Sequence, residues 1–195
     1  MVYKQSYRID FLLNLLDKKR VLIYMSIITE IEDRTNRGDL IVIEPLMDSD
    51  PQDRQIYVTP NVYNMLIGPW KDERQETEWM EARAIMDTFI AGRLISVSSL
   101  RKSDVPLKLL DTKPFGLWEL RATNPRPGIR LFGLFCARDC FVIFSWRDRS
   151  FLGNARRLWN EAFRDCKAKW NSLFHPYKPL EGADCNEYIS NITVI

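Results

Sequence analysis

Between Gly116 and Arg149 the chain reads GLWELRATNPRPGIRLFGLFCARDCFVIFSWRDR, three blocks rich in Leu, Ile, Val, Phe and Trp. Two polar punctuations separate them, Asn124 to Gly128 and Ala137 to Asp139. Short apolar blocks bounded by Asn, Pro, Gly and Asp predict three consecutive strands, an antiparallel meander. In the first, period-2 alternation sets Leu117, Glu119 and Arg121 on one face and Trp118, Leu120 and Ala122 on the other, so one face is charged and the other apolar. The middle block, Ile129 to Cys136, is apolar apart from Arg130, the pattern of a central strand covered on both sides. The third, Cys140 to Trp146, gives way to Arg147, Asp148 and Arg149 where the chain should leave the sheet.

Helical periodicity is clearest from about Asp72 to Ala91. Trp79, Ala82, Met86 and Phe89 recur at three and four residues with Ile85 and Ile90 widening the stripe, Asp72 and Gln75 resemble a capping box, and Gly92 supplies the stop. A second helix is expected beyond the meander, capped by Ser150 or Asn154 and reaching about Ser172. Its apolar face carries Trp159, Phe163, Cys166 and Trp170, and its other face Arg156, Arg157, Arg164 and Lys167. Near the N-terminus FLLNLLDKK and VLIYMSIITEIED are dense enough for buried helix or strand, which periodicity alone does not separate. The expectation is a helix from Asp10 to Lys19 and another from Val21 to Asp33. DLIVIEPL and RQIYVTP then read as a β-hairpin, followed by a short helix from Val62 to Ile67. Arg93 to Pro114 reads as a loop, and ISNITVI at the end as an edge strand or a surface segment. The resulting organisation is an N-terminal elaboration over 1–70, a core over 71–175 and an irregular tail over 176–195, all within one compact unit.

Composition narrows the chemistry. No run of about 18 uncharged apolar residues occurs, so no membrane span is expected, and without a small-residue cleavage site a cytoplasmic location is. Four cysteines, at 136, 140, 166 and 185, and the single histidine, His175, fit buried thiols better than a disulfide scaffold or a zinc site; no metal and no other cofactor is expected. The net charge of +2 is unevenly spread. Residues 1–112 hold 15 Lys and Arg against 18 Asp and Glu, residues 113–178 hold 13 against 5, and the remainder none against 3. A basic middle between mildly acidic flanks suits an anionic partner such as RNA, although basic surfaces that bind nothing in particular are common.

The residues of the meander resemble the RelE/ParE toxin superfamily, in its phage-derived and HigB-like branch. Leu117, Trp118, Glu119, Leu120 and Arg121 match its leucine, aromatic, Glu, Leu, Arg pattern. Arg130 opens an aromatic-rich strand before Leu131 and Phe132, and Arg147 and Arg149 stand where the family has a basic pair before a helix. The segment LKLL at Leu107 to Leu110 is similar to the one preceding the motif, and the likeness covers roughly residues 71 to 172. It implies an α+β, RelE-like fold: an antiparallel sheet with helices packed on one face, its first strand preceding two helices, here with an N-terminal α/β elaboration. It further implies a metal-independent, ribosome-dependent messenger RNA endoribonuclease, the toxin of a toxin–antitoxin pair, with an antitoxin protein, messenger RNA and the ribosome as partners.

Attack of a ribose 2′-hydroxyl on phosphorus requires a base, an acid and cations for the developing charge. Arginine suits the last role because its planar fork holds two phosphate oxygens. Arg121, Arg130, Arg147 and Arg149 are the catalytic candidates that the resemblance implies. Lys113, Arg126, Arg156 and Arg157 would contact RNA, with Trp146 stacking on a base. No general acid or base is evident. His175 and Tyr177 lie in the tail, and Glu119 reads better as an ion-pair partner of Arg121 or Arg130. A second reading is therefore a RelE-like binding module without cleavage, phage-encoded and aimed at a host protein. A small-molecule enzyme lacks any phosphate loop, triad or metal signature.

Overall fold

In the computed structural model, which describes residues 27–100, 104–111 and 116–195, the meander forms as its apolar blocks predict. Its strands β5 (Leu117–Ala122), β6 (Ile129–Ala137) and β7 (Cys140–Asp148) are antiparallel neighbours with β6 in the middle, and every residue of β6 is buried. Around it the chain runs α1 (27–36), β1 (Ile41–Val42), β2 (Gln55–Val58), α2 (Pro60–Ile67), α3 (Glu73–Ile90), β3 (Ile95–Ser98) and β4 (Leu107–Asp111). After β7 come α4 (Arg149–Leu152), α5 (Arg156–Phe174), a 3₁₀ turn at Cys185–Glu187 and β8 (Ile192–Val194). The described strands make one eight-stranded sheet in the order β1-β2-β7-β6-β5-β4-β3-β8.

Two expectations about this sheet need correction. It is mixed, because β2 runs parallel to β7 and β3 runs parallel to both β4 and β8, while the other pairs are antiparallel. Helices also cover both of its faces instead of one. Trp79, Ala82, Met86 and Phe89 of α3 pack with Trp118, Leu120, Leu131 and Phe141 on one side. Ile31 of α1 and Ala162, Cys166 and Trp170 of α5 pack with Phe132, Leu134, Val142 and Phe144 on the other. The cause lies in the strands: β6 and β7 alternate between large apolar side chains on both faces, and an apolar face left in water costs about 25 cal/mol per Å².

Elsewhere the pattern holds with local differences. Asp72 accepts from the Gln75 N–H at 2.8 Å, but the Gln75 side chain accepts from the Lys71 N–H at 2.9 Å, one residue before the cap. Arg93 to Pro114 is not a plain loop, since it contributes β3 and β4. Neither Ser150 nor Asn154 caps the last long helix. Asp148 caps the single turn α4, the chain turns at Gly153 with φ 48°, and α5 starts after Ala155 without a side-chain cap. The hairpin is present as β1 and β2, and the tail adds β8 at the sheet edge, as one of its two readings had it. The helix expected over Val21–Asp33 corresponds to α1 from residue 27, and the one over Asp10–Lys19 lies outside the described residues.

Candidate nucleic-acid interface

Strand register decides where the arginines meet. Arg121 pairs with Arg130 and Arg130 with Arg147, so three guanidinium-bearing positions form one row across β5, β6 and β7. The adjacent row is Lys108, Glu119, Phe132 and Ser145. Both rows lie on the α5 side of the sheet, where Phe132 packs edge-on against Trp159 and Phe163.

This arrangement turns Arg121 and Arg130 inward and leaves Arg147 partly exposed at the sheet edge. Glu119 is 3% exposed, with its carboxylate 3.5 Å from Arg121 Nε and 3.8 Å from Arg130 Nε. Arg130, 4% exposed, also donates to the carbonyls of Ala122, Ile129 and Pro127 at 3.2, 2.9 and 3.4 Å. Arg121 reaches Asp104 at 3.9 Å as well. Arg147 donates to its neighbour's carbonyl and pairs with Asp165 of α5. Arg149 donates to the Gly153 carbonyl at 2.7 Å and lies over the Trp159 ring. Each of the four catalytic candidates thus has internal partners that orient it. Trp146 stands edge-on to Trp79 at 5.3 Å and donates to Asn61 at 3.4 Å.

Burial raises the Glu119 pKa, with Arg130, Arg121, Lys108 and Arg149 pulling against it, and burial lowers Arg130 to about 10. A carboxyl whose folded pKa exceeds its unfolded value binds more protons in the fold. Its contribution is fully present below the unfolded value and is lost as pH rises through the folded one. Denaturation midpoints are therefore expected to fall as pH rises from about 4.5, the ordinary glutamate value. Urea titrations should show that trend flattened in Glu119→Gln; an equally steep trend would assign it to another group.

The RNA-contact candidates divide. Lys113 lies outside the described residues. Arg126, Arg156 and Arg157 are exposed, Arg126 by 82%, with surface pairs to Asp104 at 3.2 Å and, for Arg157, to Glu161 at 2.7 Å. The Arg149 N–H donates to the Gly128 carbonyl at 2.9 Å, which brings the Arg126 turn to the end of the molecule where α5 begins. Arg156 and Arg157 are the first two residues of that helix, whose first turn has no acidic residue. Amide dipoles and guanidiniums there add up to a positive end.

An acid and a base do not join them. Tyr177 lines a groove of about 1000 Å³ with Cys136, Ala137 and Arg138, at the opposite end of β6 from Arg130. Seven residues of strand at roughly 3.3 Å each separate those ends by about 23 Å. His175 directly follows α5 on the way to that groove. Among the described residues no group of three or more His, Cys, Asp or Glu could hold a metal ion, all four cysteines are buried, and no helix is long and apolar enough to cross a membrane.

Sequence reasoning missed a smaller crevice of about 340 Å³, lined by Asn61, Ser145, Trp146, Arg147, Phe151 and Lys169 with Asp148. It lies where β2 stops pairing at Val58 and β7 runs on to Asp148. Of its lining, Trp146 and Arg147 were among the candidates the sequence singled out, and Phe151, two residues after Arg149, was a further aromatic signal beside them. Compared with known proteins, the chain matches no protein-family model, no curated protein and no solved structure.

Proposed function

We propose that the chain is a RelE-like module that binds RNA through its basic end without cutting it. The observation that carries this reading is the division of its arginines. Arg121 and Arg130 are held inward by Glu119 and backbone carbonyls, whereas Arg126, Arg156 and Arg157 stand in solvent at one end. Phosphate contact requires cations that can trade a weak surface partner for a phosphate oxygen, and exposed ion pairs are worth only about 0–1 kcal/mol. The order β2, α2, α3 and then the strands β3 to β7, the last three of them the meander, supports the RelE-like core, whose first strand precedes two helices. The distance from the arginine row to His175 and Tyr177 favours binding over cleavage.

The test is anisotropy of a labelled single-stranded RNA of about 12 nucleotides across roughly 50 to 200 mM salt, beside electrophoresis of messenger RNA incubated with translating ribosomes. Wild type is expected to bind, and the Arg126→Gln, Arg156→Gln, Arg157→Gln variant to lose about 2 from the log–log salt slope, since each single-strand phosphate contact contributes roughly 0.7. The messenger is expected to stay intact. Cleavage abolished by Arg147→Ala would overturn the non-catalytic reading, and absence of binding at the lowest salt would overturn RNA as the partner.

A further inference from the structure

We propose that the crevice at the free edge of β7 takes one nucleotide of an RNA strand, with the base against Phe151 and Trp146 and the phosphate on Lys169 and Arg147. The inference rests on the RNA-binding reading and locates within it a position that holds a nucleotide individually.

Four observations combine. First, β2 pairs with β7 only through Val58 and Ile143, so the edge of β7 beyond Ile143 has no neighbouring strand there and α2 begins in its place. β2 and β7 run parallel, and the crevice lies beyond the carboxyl end of β2, a position where open sheets with parallel strands hold ligands.

Second, Ser145 lines the crevice, is 4% exposed, and its hydroxyl has no hydrogen-bond partner among the described residues. A buried hydroxyl without a partner costs about 1–3 kcal/mol. A ligand oxygen or ring nitrogen in the crevice supplies the missing bond.

Third, the cations present are already oriented. Lys169 donates to the Phe144 carbonyl at 2.9 Å, using one of its three N–H bonds, and Arg147 is braced by Asp165. Asp148 is the opposing charge in the lining. Partial burial pushes its pKa up, but its carboxylate accepts from the Ser150 N–H and hydroxyl at 2.7 and 2.6 Å, and those bonds prevail and hold it below the usual range. Asn61, in the first turn of α2, adds an amide for the edge of a base, beside its contact with Trp146.

Fourth, Phe151 is 61% exposed on α4 although it borders the crevice. An aromatic ring left in water beside cations is the recurring platform for an unstacked base. A cavity of about 340 Å³ is at the small end of ligand sites, which suits one nucleotide and excludes a folded partner.

The experiment uses the full chain and the same short RNA. Phe151→Ala, at an exposed position, is expected to weaken binding about 5- to 100-fold with the salt slope unchanged, because stacking is worth about 1–3 kcal/mol per base and releases no counterions. Ser145→Ala is expected to weaken it about 5-fold, as the loss of one hydrogen bond. Leu94→Ala, at an equally exposed apolar position outside the crevice, is expected to bind as wild type. Near-ultraviolet circular dichroism checks that each variant is folded. Wild-type affinity in both Phe151→Ala and Ser145→Ala would overturn the crevice and leave the RNA reading standing; no binding by wild type would overturn that reading and the crevice with it.

Discussion

Arg54→Ala is expected to cost about 3–5 kcal/mol of folding free energy, against about 0.5 kcal/mol for an ordinary surface substitution. Arg54 is 1% exposed and sits just before β2. Its guanidinium donates to the carbonyls of Phe89 and Arg93 at 3.2 Å, of Gly92 at 3.4 Å, and of Ser190 and Asn191 in the tail. Nε is 3.4 Å from the Asp139 carboxylate in the β6–β7 turn, which itself accepts from the Ser190 N–H at 2.8 Å. One side chain therefore ties the end of α3, the meander turn and the lead into β8. Truncation leaves several carbonyls and a carboxylate facing a void, and each buried acceptor without a donor adds about 1–3 kcal/mol. Chemical denaturation should show the loss, with a fall in melting temperature of roughly 10 °C for a chain of this size. Arg54→Lys should recover less than half, because a single ammonium cannot span carbonyls that a planar fork reaches together. A loss below about 1 kcal/mol for Arg54→Ala would mean that the tail is held by β8 pairing alone.

Arg130→Ala is the second large effect, and it bears on function. If Arg130 served only a reacting phosphate, its removal would leave stability nearly unchanged. The geometry predicts a loss of about 3–5 kcal/mol, because Glu119 would remain buried with one of its two guanidinium partners gone and only Arg121, at 3.5 Å, left beside it. Replacing both members should be far milder: Arg130→Ala with Glu119→Leu removes the stranded charge and supplies an apolar side chain. A double-mutant cycle by urea denaturation is expected to give a coupling of at least about 2 kcal/mol. Additivity within about 0.5 kcal/mol would return Arg130 to the groups available to a ligand.

Neither arginine's role was legible from its neighbours in the chain. Arg54 stands in a polar stretch, and nothing local marks it as the most enclosed cation of the described residues; five of its acceptors come from segments 35 to 137 residues away. The strands β3 and β4 went unread for a similar reason. β3 pairs in parallel with β4 and with β8, whose partner residues Ile95 and Ile192 lie far apart in the chain, one in the core and one in the tail. The Ile-Ser-Val-Ser of β3 does alternate, but over four residues only, and the five residues of β4 do not alternate throughout, so each is too short to stand out from the loop around it. The crevice was illegible because Asn61, Ser145 and Lys169 are brought together by α2, β7 and α5. In the arginine row, by contrast, the resemblance singled out the positions and only their direction was missing.

What the chain determines locally is considerable. Apolar blocks and turn residues define the meander, because antiparallel neighbours joined by short turns need no information beyond their own segment. The stripe of Trp79, Ala82, Met86 and Phe89 defines α3, and that of Trp159, Phe163, Cys166 and Trp170 defines the buried side of α5. Even the split between charged and apolar faces of β5 follows from alternation. Tertiary structure decided the rest: that helices cover both faces, that β2 enters beside β7 in parallel, and that Arg121, Arg130, Arg147 and Arg149 are held by partners within the fold while Arg126, Arg156 and Arg157 remain in water. A side chain's partners depend on which distant backbone is delivered to it, and for a cation the choice between carboxylate, carbonyl and solvent is set by that delivery.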